Sequence, residues 1–76
     1  MEVIRLNAGN DRNGNPRRVY VFIQDGDIRA VADEGYEGRA AMTSQWHGLR
    51  PDAAPASVPT FATTAGEYRD LKRNYS

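Results

Sequence analysis

The sequence predicts a small α+β domain: a three- or four-stranded antiparallel β-meander with one C-terminal α-helix packed on the sheet. Two observations carry this expectation. Val19-Tyr-Val-Phe-Ile23, an unbroken run of β-branched and aromatic residues, is followed by Asp25-Gly26 and a second run from Ile28 to Ala32. Asp-Gly between two such runs is a strong type I′ hairpin signal, because both central residues of that turn need positive φ. Farther along, Thr64-Ala-Gly-Glu67 has capping-box spacing: the Thr hydroxyl can accept from the amide three residues on while the Glu reaches back to the Thr amide.

In chain order, a first strand is expected at Glu2 to Leu6, with Ile4 and Leu6 on one face. Asn7-Ala-Gly-Asn-Asp-Arg-Asn-Gly-Asn-Pro16 holds four Asn, two Gly and a Pro and reads as a loop, whose tip Asn13-Gly14 can tighten so that strands one and two pair antiparallel. With Asp25-Gly26 as a two-residue loop, Ile23 lies opposite Ile28, Val21 opposite Ala30 and Val19 opposite Ala32. That wholly aliphatic face is the expected core. The other face carries Tyr20, Phe22 and Gln24 beside Asp27, Arg29 and Val31, and is either a second buried layer or a docking surface. Residues 40–57 combine Pro51, Pro55 and several Ala with few large apolar groups, which predicts a loop or partly disordered segment. Val58 to Ala62 is a candidate short fourth strand. The helix is expected from Ala65 to Asn74, with Tyr68, Leu71 and Tyr75 along one stripe and Lys72 and Arg73 near its end, where the helix dipole favours cations.

Length and composition bound the rest. Seventy-six residues make a single domain, 1–76, and a chain of this size buries only about 60% of its unfolded surface. Ile, Leu, Val and Phe number thirteen against ten Ala, so the core is thin. There is no cysteine, which excludes a disulfide framework, a Cys-ligated zinc site and a thiol nucleophile. Open sheet edges on so small a core favour a homodimer, with Tyr20 and Phe22 expected in the contact. No apolar run approaches the ~18 residues of a membrane span, and Met1 to Leu6 carries Glu2 and Arg5. No membrane association is expected, and the cytoplasm is the expected location.

Ten Lys/Arg balance ten Asp/Glu, but unevenly. Residues 1–24 carry +2, from Arg5, Arg12, Arg17 and Arg18 against Glu2 and Asp11, while residues 25–38 carry −4. Such a polarised, neutral chain disfavours non-specific nucleic-acid binding, which draws its affinity from phosphate neutralisation. His47 is the lone imidazole, with no spacing that argues for a base and an orienting third group, so no catalytic residue and no cofactor are expected. Asp33, Glu34 and Glu37 lack calcium-loop spacing and run into Gly38-Arg39. They read as a solvated acidic turn, and no metal site is expected.

Two binding readings remain. In the first, a protein partner is gripped by Tyr20, Tyr36 and Trp46 with Arg17 and Arg18 on the rim, since Trp, Tyr and Arg are enriched at interface hot spots. In the alternative, amides of loop 7–18 around Asn10 and Gly14, with Arg12, Arg17 and Arg18, clasp the phosphate of a small molecule or nucleotide, and Tyr20 covers a base. The simple counter-reading is that a hairpin loop needs Gly and Asn, and that the arginines protect a strand edge.

Asn10-Asp-Arg-Asn-Gly-Asn-Pro-Arg-Arg18, Asp33-Glu-Gly-Tyr36 and Gly66-Glu-Tyr-Arg69, in an Arg-rich, Lys-poor and cysteine-free chain, resemble in kind the very small accessory proteins of phages of high-GC actinobacteria. The resemblance covers about a quarter of the chain and brings no catalytic motif. It implies a non-enzymatic protein-binding module, an inhibitor of a host or defence factor, acting on a host or cellular protein in the host cytoplasm.

Overall fold

The computed structural model describes residues 1–35, Gly38 and residues 57–75. They form strands β1 (Glu2–Asn10), β2 (Pro16–Gln24), β3 (Asp27–Asp33) and β4 (Thr60–Ala62), followed by helix α1 (Ala65–Tyr75). The strands make one sheet in the order β3-β2-β1-β4. β1, β2 and β3 are a true antiparallel meander, whereas β4 joins β1 in parallel. A parallel neighbour requires the chain to cross over between β3 and β4, so the meander ends at the third strand.

The β2–β3 turn has positive φ at both Asp25 (55°) and Gly26 (82°), as a type I′ hairpin needs. Ile23 faces Ile28 as expected, but the register then slips: Phe22 pairs with Ala30, Val21 with Val31, Tyr20 with Ala32 and Val19 with Asp33. Arg29 is the extra residue of a β-bulge. The slip corrects the expected core, because Ala30 and Ala32 move to the face of Tyr20 and Phe22 while Val31 joins Val19 and Val21. The physical gain is twofold. A third β-branched residue enters the layer beneath the helix, and small alanines come to lie opposite two large rings.

Both faces of the sheet are therefore covered. On the helix face, buried Val19, Val21 and Val31 meet Ile4, Leu6, Ile23, Ile28, Tyr68 and Leu71. On the opposite face, Val3, Tyr20, Phe22, Ala30, Ala32 and Val58 form a second buried cluster with Met1 against it. The aromatic face is thus a buried layer. Tyr20 and Phe22 are 4% and 0% exposed, so the expected dimer contact through these rings is overturned, and with it Tyr20 as a surface anchor or base-stacking platform. Gly38 is packed so tightly here that a Cβ on it would lie 2.6 Å from the Asp33 carbonyl oxygen and 2.7 Å from the Tyr20 ring.

β1 is longer than expected, since Asn7–Asn10 continues the strand through an irregularity. Gly9, at φ +75°, donates its amide to Asn7 Oδ1 at 2.9 Å, a local Asn bond that holds the distortion. The helix start is half of a capping box. The Glu67 amide donates to Thr64 Oγ1 at 3.1 Å, while the Glu67 carboxylate accepts from the Thr63 hydroxyl at 3.0 Å instead of reaching the Thr64 amide. No helix among the described residues is long and apolar enough to cross a membrane.

Candidate functional site

The loop between β1 and β2 was the candidate anion site, and its amides are engaged from within the chain. Asp11 Oδ1 accepts from the Asn13 amide at 2.8 Å and from the Asn15 amide at 2.9 Å. Gly14, at φ +82°, donates its amide to the Asp11 carbonyl at 3.0 Å. The bonds to its carboxylate, that from the Asn15 amide foremost and then that from Asn13, hold the Asp11 carboxyl below the usual carboxylate range despite some desolvation. A carboxylate of the chain itself thus sits where a phosphate would have to go. The arginines are directed elsewhere. Arg17 Nη1 donates to the carbonyl of Asn10 at 2.9 Å and to that of Ala8 at 3.4 Å, stitching the irregular end of β1. Arg12 is exposed on the loop. Arg18 points to the opposite face, where its Nε lies 3.3 Å from Glu34 Oε1 without the alignment of a hydrogen bond. The set Asn10, Arg12, Gly14, Arg17 and Arg18 is therefore not gathered around one point.

Two charged clusters instead fasten the sheet. Arg5 hydrogen-bonds Glu34, Thr60 Oγ1 (3.0 Å) and the Tyr20 hydroxyl (3.0 Å), with its guanidinium 5.1 Å above the Tyr20 ring centroid. The bond to Tyr20 raises the Arg5 pKa, with Glu34 adding to it against desolvation. On the helix face, Tyr68 donates to Asp33 Oδ1 at 2.8 Å and Lys72 pairs with Asp33 Oδ2, tying the middle of α1 to the end of β3. Burial, then the hydrogen bond to Asp33, pushes the Tyr68 phenol up. Asp33 is matched by a cation and a hydroxyl, and Glu34 by Arg5, whose other donors go to the Thr60 and Tyr20 hydroxyls, an arrangement suited to holding elements together. Of the remaining proposed anchors, Tyr36 and Trp46 lie outside the described residues, as does 40–57 apart from Ser57.

The expected short fourth strand within Val58 to Ala62 is present as β4, but its parallel place beside β1, as an open outer edge of the sheet, was not foreseen. β3, at one end of the strand order, is closed along its centre, with Ala30, Val31 and Ala32 buried. β4, at the other end, is exposed at all three residues, and Phe61 is 53% exposed. Its hydrogen bonding follows from the parallel ladder. Arg5 donates to the Pro59 carbonyl and Thr63 donates to the Asn7 carbonyl, with Arg5, Leu6 and Asn7 paired to Thr60, Phe61 and Ala62. In that pattern Pro59, Phe61 and Thr63 turn their backbone groups towards β1, so those of Thr60 and Ala62 point away from the sheet. Pro59 leaves this outward row intact because the donor it lacks would have faced inward. Phe61 shares the helix face with its partner Leu6, while the Thr60 and Ala62 side chains take the other face. One signal could have located this edge: residues 53–66 hold no charged side chain in a chain that is 26% charged. Compared with family models, curated proteins and solved structures, the chain shows no match.

Proposed function

We propose that this chain is a non-enzymatic protein-binding module whose docking edge is β4, and that its partner adds an extended segment to the sheet there. One observation carries the proposal: β4 is exposed along its whole length, its central Phe61 by half, whereas the centre of β3 is sealed. An open edge offers unpaired main-chain donors and acceptors for affinity, and alternate side chains for specificity. The proposed setting is the one its resemblance implies, an inhibitor binding a host or cellular protein in the cytoplasm. The phosphate alternative is weaker, because the Asn13 and Asn15 amides already serve Asp11.

Ala62→Pro tests this edge selectively. It removes the outward N–H while sparing the bonds of Phe61 and Thr63 to β1. Tagged wild-type chain should capture a cellular protein that Ala62→Pro, folded by circular dichroism, does not. An Arg17→Ala, Arg18→Ala variant should still capture it. Equal capture of the same partner by wild type and Ala62→Pro would overturn the proposal.

A further inference from the structure

We infer that the β4 edge is self-complementary and that a second copy of this chain docks on it, antiparallel, about a two-fold axis through Phe61. The inference rests on the reading of β4 as a docking edge and names what occupies it. The outward-facing residues are Thr60 and Ala62, placed symmetrically about Phe61. In an antiparallel pair centred on Phe61, Thr60 of each copy lies opposite Ala62 of the other, and the two exchange both hydrogen bonds. Phe61 then meets Phe61 of the second copy at a non-hydrogen-bonded position, where opposed residues come closest, at about 4.5 Å between Cα atoms. Opposed side chains share a face, so the two rings form a cross-strand aromatic pair at the axis and cover each other's exposed surface.

Charge supports the same occupant. Edges that must stay single usually carry charged residues, as β3 does with Asp27, Arg29 and Asp33, whereas 53–66 carries none. Two identical charged edges would repel, and two copies of Thr-Phe-Ala have nothing to repel with. The ring pair sits on the helix face, beside Leu6, and extends the apolar layer under α1 from one copy towards the other. The isologous contact closes on itself, joining two four-stranded sheets into one and leaving β3 at both outer ends. A cellular partner strand would use the same Thr60 and Ala62 groups, so it competes with the dimer.

The absence of cysteine makes the test clean. In the full chain, Phe61→Cys places two thiols across the axis at a separation within the roughly 4.4–6.8 Å Cα range of disulfides, so mild oxidation should convert it to a covalent dimer far faster than Arg29→Cys on β3. Light scattering of wild type should give about twice the 8.5 kDa chain mass at high concentration. Phe61→Lys, which sets two ammonium groups face to face at an already exposed position, should stay at the chain mass with an unchanged circular dichroism spectrum. Faster cross-linking through Arg29→Cys, or a Phe61→Lys dimer as tight as wild type, would overturn the inference. So would a wild type that remains at the chain mass at millimolar concentration; if that monomer still loses its cellular partner on Ala62→Pro, the docking edge stands and only the second copy falls.

Discussion

Val31→Ala tests the bulged register, because only the slip at Arg29 brings Val31 opposite Val21 beneath the helix. Val31 is fully buried. Removing two methyl groups forfeits about 0.8 kcal/mol each, or ~1.6 kcal/mol, and the unfilled space raises the loss to about 2–3 kcal/mol. At roughly 0.05–0.15 kcal/mol per residue, a chain of 76 residues holds only about 4–11 kcal/mol in total. The substitution should therefore lower Tm by about 10–20 °C. Arg29, the exposed extra residue of the bulge, should tolerate Ala within ~0.5 kcal/mol. Urea unfolding followed by circular dichroism gives both values. An unslipped hairpin would put Val31 and Arg29 on one face, so a Val31→Ala loss no larger than that of Arg29→Ala would refute the register and the two-layer core built on it.

Further outcomes follow from single contacts. Thr64→Ala removes the acceptor of the Glu67 amide and should cost about 1 kcal/mol in the same unfolding assay. Gly38→Ala drives a Cβ into the Asp33 carbonyl and the Tyr20 ring and should cost about 1–3 kcal/mol, visible as a lower Tm. The Tyr68 pKa is raised in the fold, so its contribution to stability is complete below the unfolded phenol value near ~10 and is lost as pH rises through the folded value. Asp33→Ala, which removes the hydrogen bond and the neighbouring charge, should bring the Tyr68 phenol pKa part of the way back down, read from the Tyr68 ring resonances in a pH titration. Asp11 is shifted the other way: its contribution is present above the unfolded carboxylate pKa near ~3.9 and is lost as pH falls through the lower folded value. Asp11→Ala should flatten that acid limb and loosen the amides of Asn13 and Asn15 in hydrogen exchange.

The hairpin and the helix were legible because their signals are local. Asp25-Gly26 needs only its own φ angles, and Thr64 caps an amide three residues away. The bulge was not legible, since regular alternation from Ile23–Ile28 predicts Val21 opposite Ala30, and the observed Val21 opposite Val31 needs an extra residue that no local signal marks. Only packing decides between them, through a helix that needs three valines under it and rings that need alanines opposite. Asn7–Asn10 was read as loop from its composition, yet the Asn7 bond to Gly9 and the Arg17 bond to the Asn10 carbonyl let the strand run on. The site was less legible than the fold. Arg17 and Arg18 looked available as surface charges, but their partners, two backbone carbonyls and Glu34, become neighbours only once β1, β2 and the end of β3 are side by side. Tyr20 looked like an anchor for the same reason: nothing local foretells that Arg5 will cover its ring.

Amide hydrogen exchange at β4 tests the docking edge most directly. Phe61 donates inward to β1, so its amide should be protected under all conditions. The outward amides of Thr60 and Ala62 should exchange quickly in dilute protein and slow together as concentration rises or a captured partner is added. Thr60 and Ala62 amides that stay fast under both conditions, while protection appears elsewhere on the sheet, would contradict the assignment of β4 as the binding edge.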